Sequence, residues 1–114
     1  MSNPLVSVSV PTFGTAGQAA GACAINAAGI ISAIRVEFAA DAPPTARVQL
    51  VDNELHAVLA DVLLSSLSGA RSVNLTLATL TPFFVSGRPL YAVVTGANES
   101  NSAAVVKVQT TGQD

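Results

Sequence analysis

Apolar and polar side chains alternate one for one through several short runs of this chain, and each run stops at glycine, proline or small polar residues. A period of two puts successive side chains on opposite faces of an extended strand; a helix, with its 3.6-residue period, does not do this. Leu5-Val-Ser-Val-Ser-Val10 shows the pattern most cleanly, and Pro11, which lacks a backbone N–H, ends it. Thr12 to Gln18, punctuated by Gly14 and Gly17, reads as a loop or extended arm, so residues 1–18 are expected as an N-terminal strand and arm and residues 19–114 as the domain proper.

The same reading continues along the chain. Ala20, Ala22, Ala24 and Asn26 fall on one face and Gly21, Cys23 and Ile25 on the other, with a turn at Gly29 expected to join this strand to the next in a hairpin. In Ile30 to Phe38 the residues Ile34, Val36 and Phe38 oppose Arg35 and Glu37; in Thr45 to Val51, Ala46, Val48 and Leu50 oppose Arg47 and Gln49. Asp41-Ala-Pro-Pro44 breaks the ladder between them. Leu55 to Leu64 fits two periods, since Leu55, Val58, Leu59, Val62 and Leu63 also follow helical spacing; the β character of every neighbouring segment favours a strand. Ser65 to Gly69 reads as a flexible polar loop, Val73 to Leu77 as a strand, and Leu90 to Thr95 with Ala103 to Thr110 as a closing hairpin. Seven or eight short strands without a long helix predict an all-β, single-domain antiparallel β-sandwich or jelly roll with an N-terminal arm.

Charge is what sets the chain apart. Only 11% of its 114 residues are charged, against about 25% in ordinary soluble domains, and none precedes Arg35. A dispersed monomer normally keeps a charged surface of mixed sign, so this composition points to a subunit covered by neighbours. The five basic residues do not cluster, which argues against nucleic-acid binding. The uncharged stretch from Ala19 to Ile34 is too rich in alanine and glycine, and interrupted at Asn26, to supply the roughly 20 strongly apolar residues of a spanning helix; no membrane role is expected. Nor does a basic residue precede it as in a signal peptide. Cys23 is the single cysteine, so no internal disulfide forms and a free, buried thiol is expected. With no Trp and four Phe, the core is expected to be Ala, Val, Leu and Ile.

Residues for chemistry are sparse. His56, with Asp52, Glu54, Asp61, Ser65 and Ser66 nearby, supplies the letters of a Ser-His-Asp triad, but any short polar stretch does so without the geometry. One His, one Cys and scattered acids do not make a metal site, although Asp52-Asn53-Glu54 is a short acidic turn of the kind that holds Ca²⁺. Gly14, Gly17 and Gly21 match neither phosphate-binding glycine pattern. The sequons Asn74-Leu-Thr76 and Asn98-Glu-Ser100 come without a secretion signal. No enzyme activity, metal or cofactor is expected. The candidate interface instead comprises Leu5, Val6, Val8, Val10 and Phe13 in the first 18 residues, with Phe83 and Phe84, adjacent aromatics that point to opposite faces of a strand.

Four segments carry a resemblance: Gly29-Ile-Ile-Ser-Ala-Ile-Arg-Val-Glu-Phe38, Pro43-Pro-Thr-Ala-Arg-Val-Gln-Leu-Val-Asp52, Pro82-Phe-Phe-Val-Ser-Gly-Arg-Pro-Leu-Tyr91 and Val93 to Val108. Together with the uncharged opening they make the chain similar to small all-β head proteins of tailed bacteriophages, some of which decorate or cement the capsid. The match lies in strand rhythm and turn residues, and the Leu-rich stretch from Leu55 to Leu80 departs from it. The resemblance implies a structural virion protein, made in the host cytoplasm, that binds the major capsid protein on the outer capsid surface as a homotrimer and bridges its subunits. On this reading, deleting Met1 to Val10 is expected to abolish capsid binding and leave the domain folded. The alternatives are another virion subunit (head-tail connector, tail or fibre base) and a carbohydrate-binding β-sandwich, which the lack of Trp disfavours.

Overall fold

The computed structural model describes residues 5–26, 29–52, 57–76, 84–85 and 89–111, with the backbone alone for Leu5, Ala57, Thr76, Phe84, Val85 and Thr111. Among them the chain forms nine strands and one 3-10 turn: β1 (Leu5–Thr12), β2 (Ala19–Ile25), β3 (Gly29–Phe38), β4 (Arg47–Asp52), β5 (Ala57–Leu63), the turn Leu64–Leu67, β6 (Ser72–Thr76), β7 (Phe84–Val85), β8 (Leu90–Ala97) and β9 (Ser100–Thr111). Two antiparallel sheets pack face to face. One has the order β1-β9-β3-β6, with the short β7 also on β3; the other has the order β2-β8-β4-β5.

The pairing is nested. β4 pairs with β5, β3 with β6, β2 with β8 and β1 with β9, so that the chain is one long antiparallel ribbon. Rolling the ribbon adds the contacts β3·β9 and β4·β8, which close it into two sheets. This is the jelly-roll arrangement.

Alternation decides which side chains enter the core. Ala46, Val48 and Leu50 are buried while Arg47 is exposed, and Ile34, Val36 and Phe38 are buried while Arg35 and Glu37 lie outward. From β8 and β9, Leu90, Ala92, Val94, Val106 and Val108 complete an interior in which Phe38 is the one buried aromatic among the described residues. Each fully buried Val, Leu or Ile contributes about 1.5–3 kcal/mol relative to exposure.

The connections β1–β2, β3–β4, β5–β6 and β8–β9 are tied together by hydrogen bonds. Asn98 is their hub: its Oδ1 accepts from the Gly17 N–H at 3.1 Å, its Nδ2 donates to the Asp41 carbonyl at 3.1 Å, and its carbonyl accepts from the buried Thr12 hydroxyl at 2.6 Å. Thr45 Oγ1 donates to the Gly96 carbonyl, and Arg71 Nη1 donates to the carbonyls of Ala39 and Ala42. Asn98 heads one of the two sequons, and its amide is engaged on both sides.

Several expectations are corrected. β2 and β3 do not form a hairpin, nor do β8 and β9: each pair is split between the two sheets. Gly96, at φ 65°, turns the chain out of one sheet just before β9 begins in the other. Ser65 to Gly69 is not a plain polar loop, because Leu64 is buried at the head of the 3-10 turn and Ser66 Oγ donates to the Leu63 carbonyl. The ambiguous Leu55 to Leu64 segment is strand over Ala57–Leu63. The strand read at Leu5 to Val10 is present: β1 is an edge strand paired with β9 from Leu5 to Thr12, with a register shift at Pro11. Cys23 is a free thiol and is half-buried, not fully enclosed.

Candidate functional site

The two outer faces of the sandwich differ in kind. On the β1-β9-β3-β6 sheet most outward side chains are hydrophilic, Ala33 and Val105 being apolar exceptions. Ser7 and Ser9 of β1 are exposed, Lys107 and Gln109 follow on β9, Arg35 and Glu37 on β3, and Ser72 and Asn74 on β6. Glu37 Oε2 accepts from Arg35 Nε at 2.5 Å and faces Lys107 Nζ at 3.4 Å. The hydrogen bond from Arg35 is the main reason the Glu37 carboxyl titrates below the usual glutamate range; desolvation opposes it, and the Lys107 charge adds to it.

The outer face of the β2-β8-β4-β5 sheet is apolar along β2 and across the row Ala24, Tyr91, Val51 and Val58, with Thr95, Arg47, Gln49 and Asp61 toward its other end. Its β2 column consists of exposed Ala20, Ala22 and Ala24, where a solvated antiparallel sheet normally carries polar residues. The register sets Ala22 beside Val93, which is followed by Gln49, and Ala24 beside Tyr91, which is followed by Val51 and then by Val58, 56% exposed. Phe13 extends the face past β2: it bridges Ala20 and is 67% exposed. Arg47 and Asp61, 3.4 Å apart, are the only charged pair among the described residues of this face, and Gln49 donates to Asp61. At about 4.8 Å between strands and 3.3 Å per residue, the face covers on the order of 400 Å², the size at which a surface patch often carries function.

The flank beside this face explains the uncharged opening of the chain. β1 and β2 are edge strands of opposite sheets that run together at Pro11–Phe13, so the described residues from Leu5 to Ile25, none of them charged, form one flank of the sandwich. Gly21 permits the contact: a Cβ there would fall 1.8 Å from the Pro11 carbonyl oxygen. Edge strands usually carry lysine, proline or a bulge against unwanted pairing; β1 has Pro11, whereas β2 has none of these from Ala22 to Ile25 beyond its small size.

The expected interface residues fall in different places. Val10 is wholly buried in the protein's own core, and Val6 and Val8 pack against that core half-buried. Leu5 pairs with Gln109 and Phe84 with Ile30 through their backbones; Phe83 lies outside the described residues. Phe13 alone of the set is a described, exposed side chain. The alanine column of β2 and the Val51, Val58, Tyr91 and Val93 cluster escaped the sequence reading, which looked for large residues. The signal was present in the identity of the outward face of β2, alanine where Arg35 and Glu37 stand on β3.

Among the described residues no three His, Cys, Asp or Glu side chains converge. Asp61, Ser65 and Ser66 are exposed, and Asp52 is fully buried; Asn53, Glu54 and His56, on which the triad and Ca²⁺ readings turn, lie outside the described residues. No described helix is long and apolar enough to cross a membrane. Comparison with protein-family models, curated proteins and solved structures yields no match to this chain.

Proposed function

We propose that this chain is a structural virion protein that docks on the outer surface of a phage capsid through the apolar face of its β2-β8-β4-β5 sheet and bridges capsid subunits. The observation that carries the reading is that face, a broad sheet surface with one ion pair and a projecting phenylalanine. A protein interface of moderate strength needs an apolar centre with charge moved to its rim, and Arg47 with Asp61 sits at the side of the patch. Phe13 acts as the anchor that enters a depression on the shell, in the manner of an aromatic hot spot. The jelly roll is compatible with this role, as it is with many others, since a fold alone does not give a function. Assembly as a trimer on the shell, binding without catalysis, follows from the resemblance stated above.

Co-sedimentation with purified capsid shells tests the reading. Wild-type protein is expected to pellet with expanded shells, and Ala22→Glu, which places a charge in the middle of the patch, to remain in the supernatant. Phe13→Ser should weaken binding by at least tenfold, about 1.4 kcal/mol or more. Equal pelleting of all three proteins would exclude this face; no pelleting of the wild type would exclude the capsid as partner. Light scattering of the free protein reports whether it is a trimer before it meets a shell.

A further inference from the structure

On the opposite face of the sandwich, we infer that a bowl between β3, β6 and β9 is a binding site for a single carboxylate group. The argument begins with a like-charged pair. Arg35 of β3 stands directly across from Lys107 of β9, an arrangement that costs stability unless something neutralises it. Among the described residues Glu37 is the one acid paired with these cations, so the cluster of two cations and one anion keeps a net charge of +1 on a chain whose total is -2.

The bowl lies on the side of this cluster away from Glu37. Its lining is Ala33, Arg35, Asn74, Lys107 and Gln109, and it contains no acid. Ala33 sits opposite Gln109, and its single methyl group leaves the floor low between longer neighbours. The donors are held in place. Arg35 gives Nε to Glu37, Nη1 to Asn74 Oδ1 at 3.1 Å and Nη2 to Ser72 Oγ at 3.2 Å, which fixes the guanidinium along the sheet and leaves each terminal nitrogen a second N–H. With Oδ1 turned to Arg35, Asn74 keeps its Nδ2 for donation. Among the described residues Lys107 makes only the 3.4 Å contact with Glu37 and has protons to spare.

Size and charge select the ligand. The open bowl, about 280 Å³, has room for a carboxylate together with the group that carries it. A carboxylate brings the cluster from +1 to neutral, whereas a phosphate dianion would overshoot to -1. Charge-assisted hydrogen bonds from Lys107 and Arg35 supply the affinity. This site does not depend on the capsid reading, which rests on the other sheet.

The test is an amide NMR titration of the full chain at constant ionic strength with sodium acetate, a capped Gly-Glu-Gly peptide and inorganic phosphate. Saturable shifts at Ala33, Lys107 and Gln109 with acetate are expected. Tighter binding of the peptide would identify an acidic side chain of a partner protein as the source, and equal binding a free carboxylate. Lys107→Met, which keeps the apolar stem, and Ala33→Leu, which fills the bowl but keeps both cations, should each weaken binding at least tenfold in protein whose circular dichroism is unchanged. Non-saturating shifts, a preference for phosphate, or undiminished binding in Ala33→Leu would overturn the assignment.

Discussion

Gly21 shows how one hydrogen atom decides a contact between two sheets. The Pro11 carbonyl occupies the space where any other residue would place its Cβ, so Gly21→Ala must push β1 from β2 at the point where the chain crosses between the sheets. Such overpacking against backbone is expected to cost about 2–3 kcal/mol, read as a lower urea midpoint at unchanged m-value. Glu37 gives a residue-level prediction in pH. Its carboxyl titrates lower in the folded protein than in the unfolded chain, so its contribution to stability is complete above the unfolded value and is lost as pH falls through the folded one. Glu37→Gln should therefore lower the melting temperature at neutral pH and converge with wild type in acid; an equal offset at every pH would contradict the assignment.

At the scale of elements, β1 is a strand of the domain and not a detachable arm. Residues Leu5 to Val10 pair with β9, Val10 is fully buried, and Val6 and Val8 lie against the core. Removing Met1 to Val10 forfeits on the order of 3–6 kcal/mol of apolar burial, by 1.5–3 kcal/mol per fully buried valine and half that for the others. Against a typical total of about 5–15 kcal/mol the truncated chain should lose its cooperative melt by circular dichroism. A truncation that melts like wild type would restore the arm. The positions of the strands were readable because burial of one face imposes a period of two on the residues themselves, as in Arg47–Asp52 and Gly29–Phe38. Their partners were not readable. Gly29, and the short connection at Asn98 and Glu99, look like hairpin turns locally, yet both join strands of different sheets. A turn residue records that the chain changes direction and says nothing about whether it also changes layer.

For the whole molecule, the nested pairing has a kinetic consequence. Only β4 and β5 are close in sequence; β1 waits for β9, and β2 for β8. Contacts that close such long loops are entropically late, so refolding is expected in milliseconds to seconds, and a complete microsecond phase in a temperature-jump or rapid-mixing experiment would contradict the topology. Of the candidate interface, only the exposed Phe13 and the uncharged character of the opening segment were legible. Both surfaces join residues that the linear chain keeps apart: the alanines of β2 lie beside Tyr91 and Val93 of β8 on one face, and Arg35 lies across from Lys107 on the other, across separations that no local pattern spans. By itself the sequence determined that the chain would form short strands with one apolar face each, because alternation is a property of neighbours. The tertiary structure alone decided which outward faces lie side by side, apolar on one sheet and cationic on the other, because register between distant strands is set by how the whole ribbon buries its core.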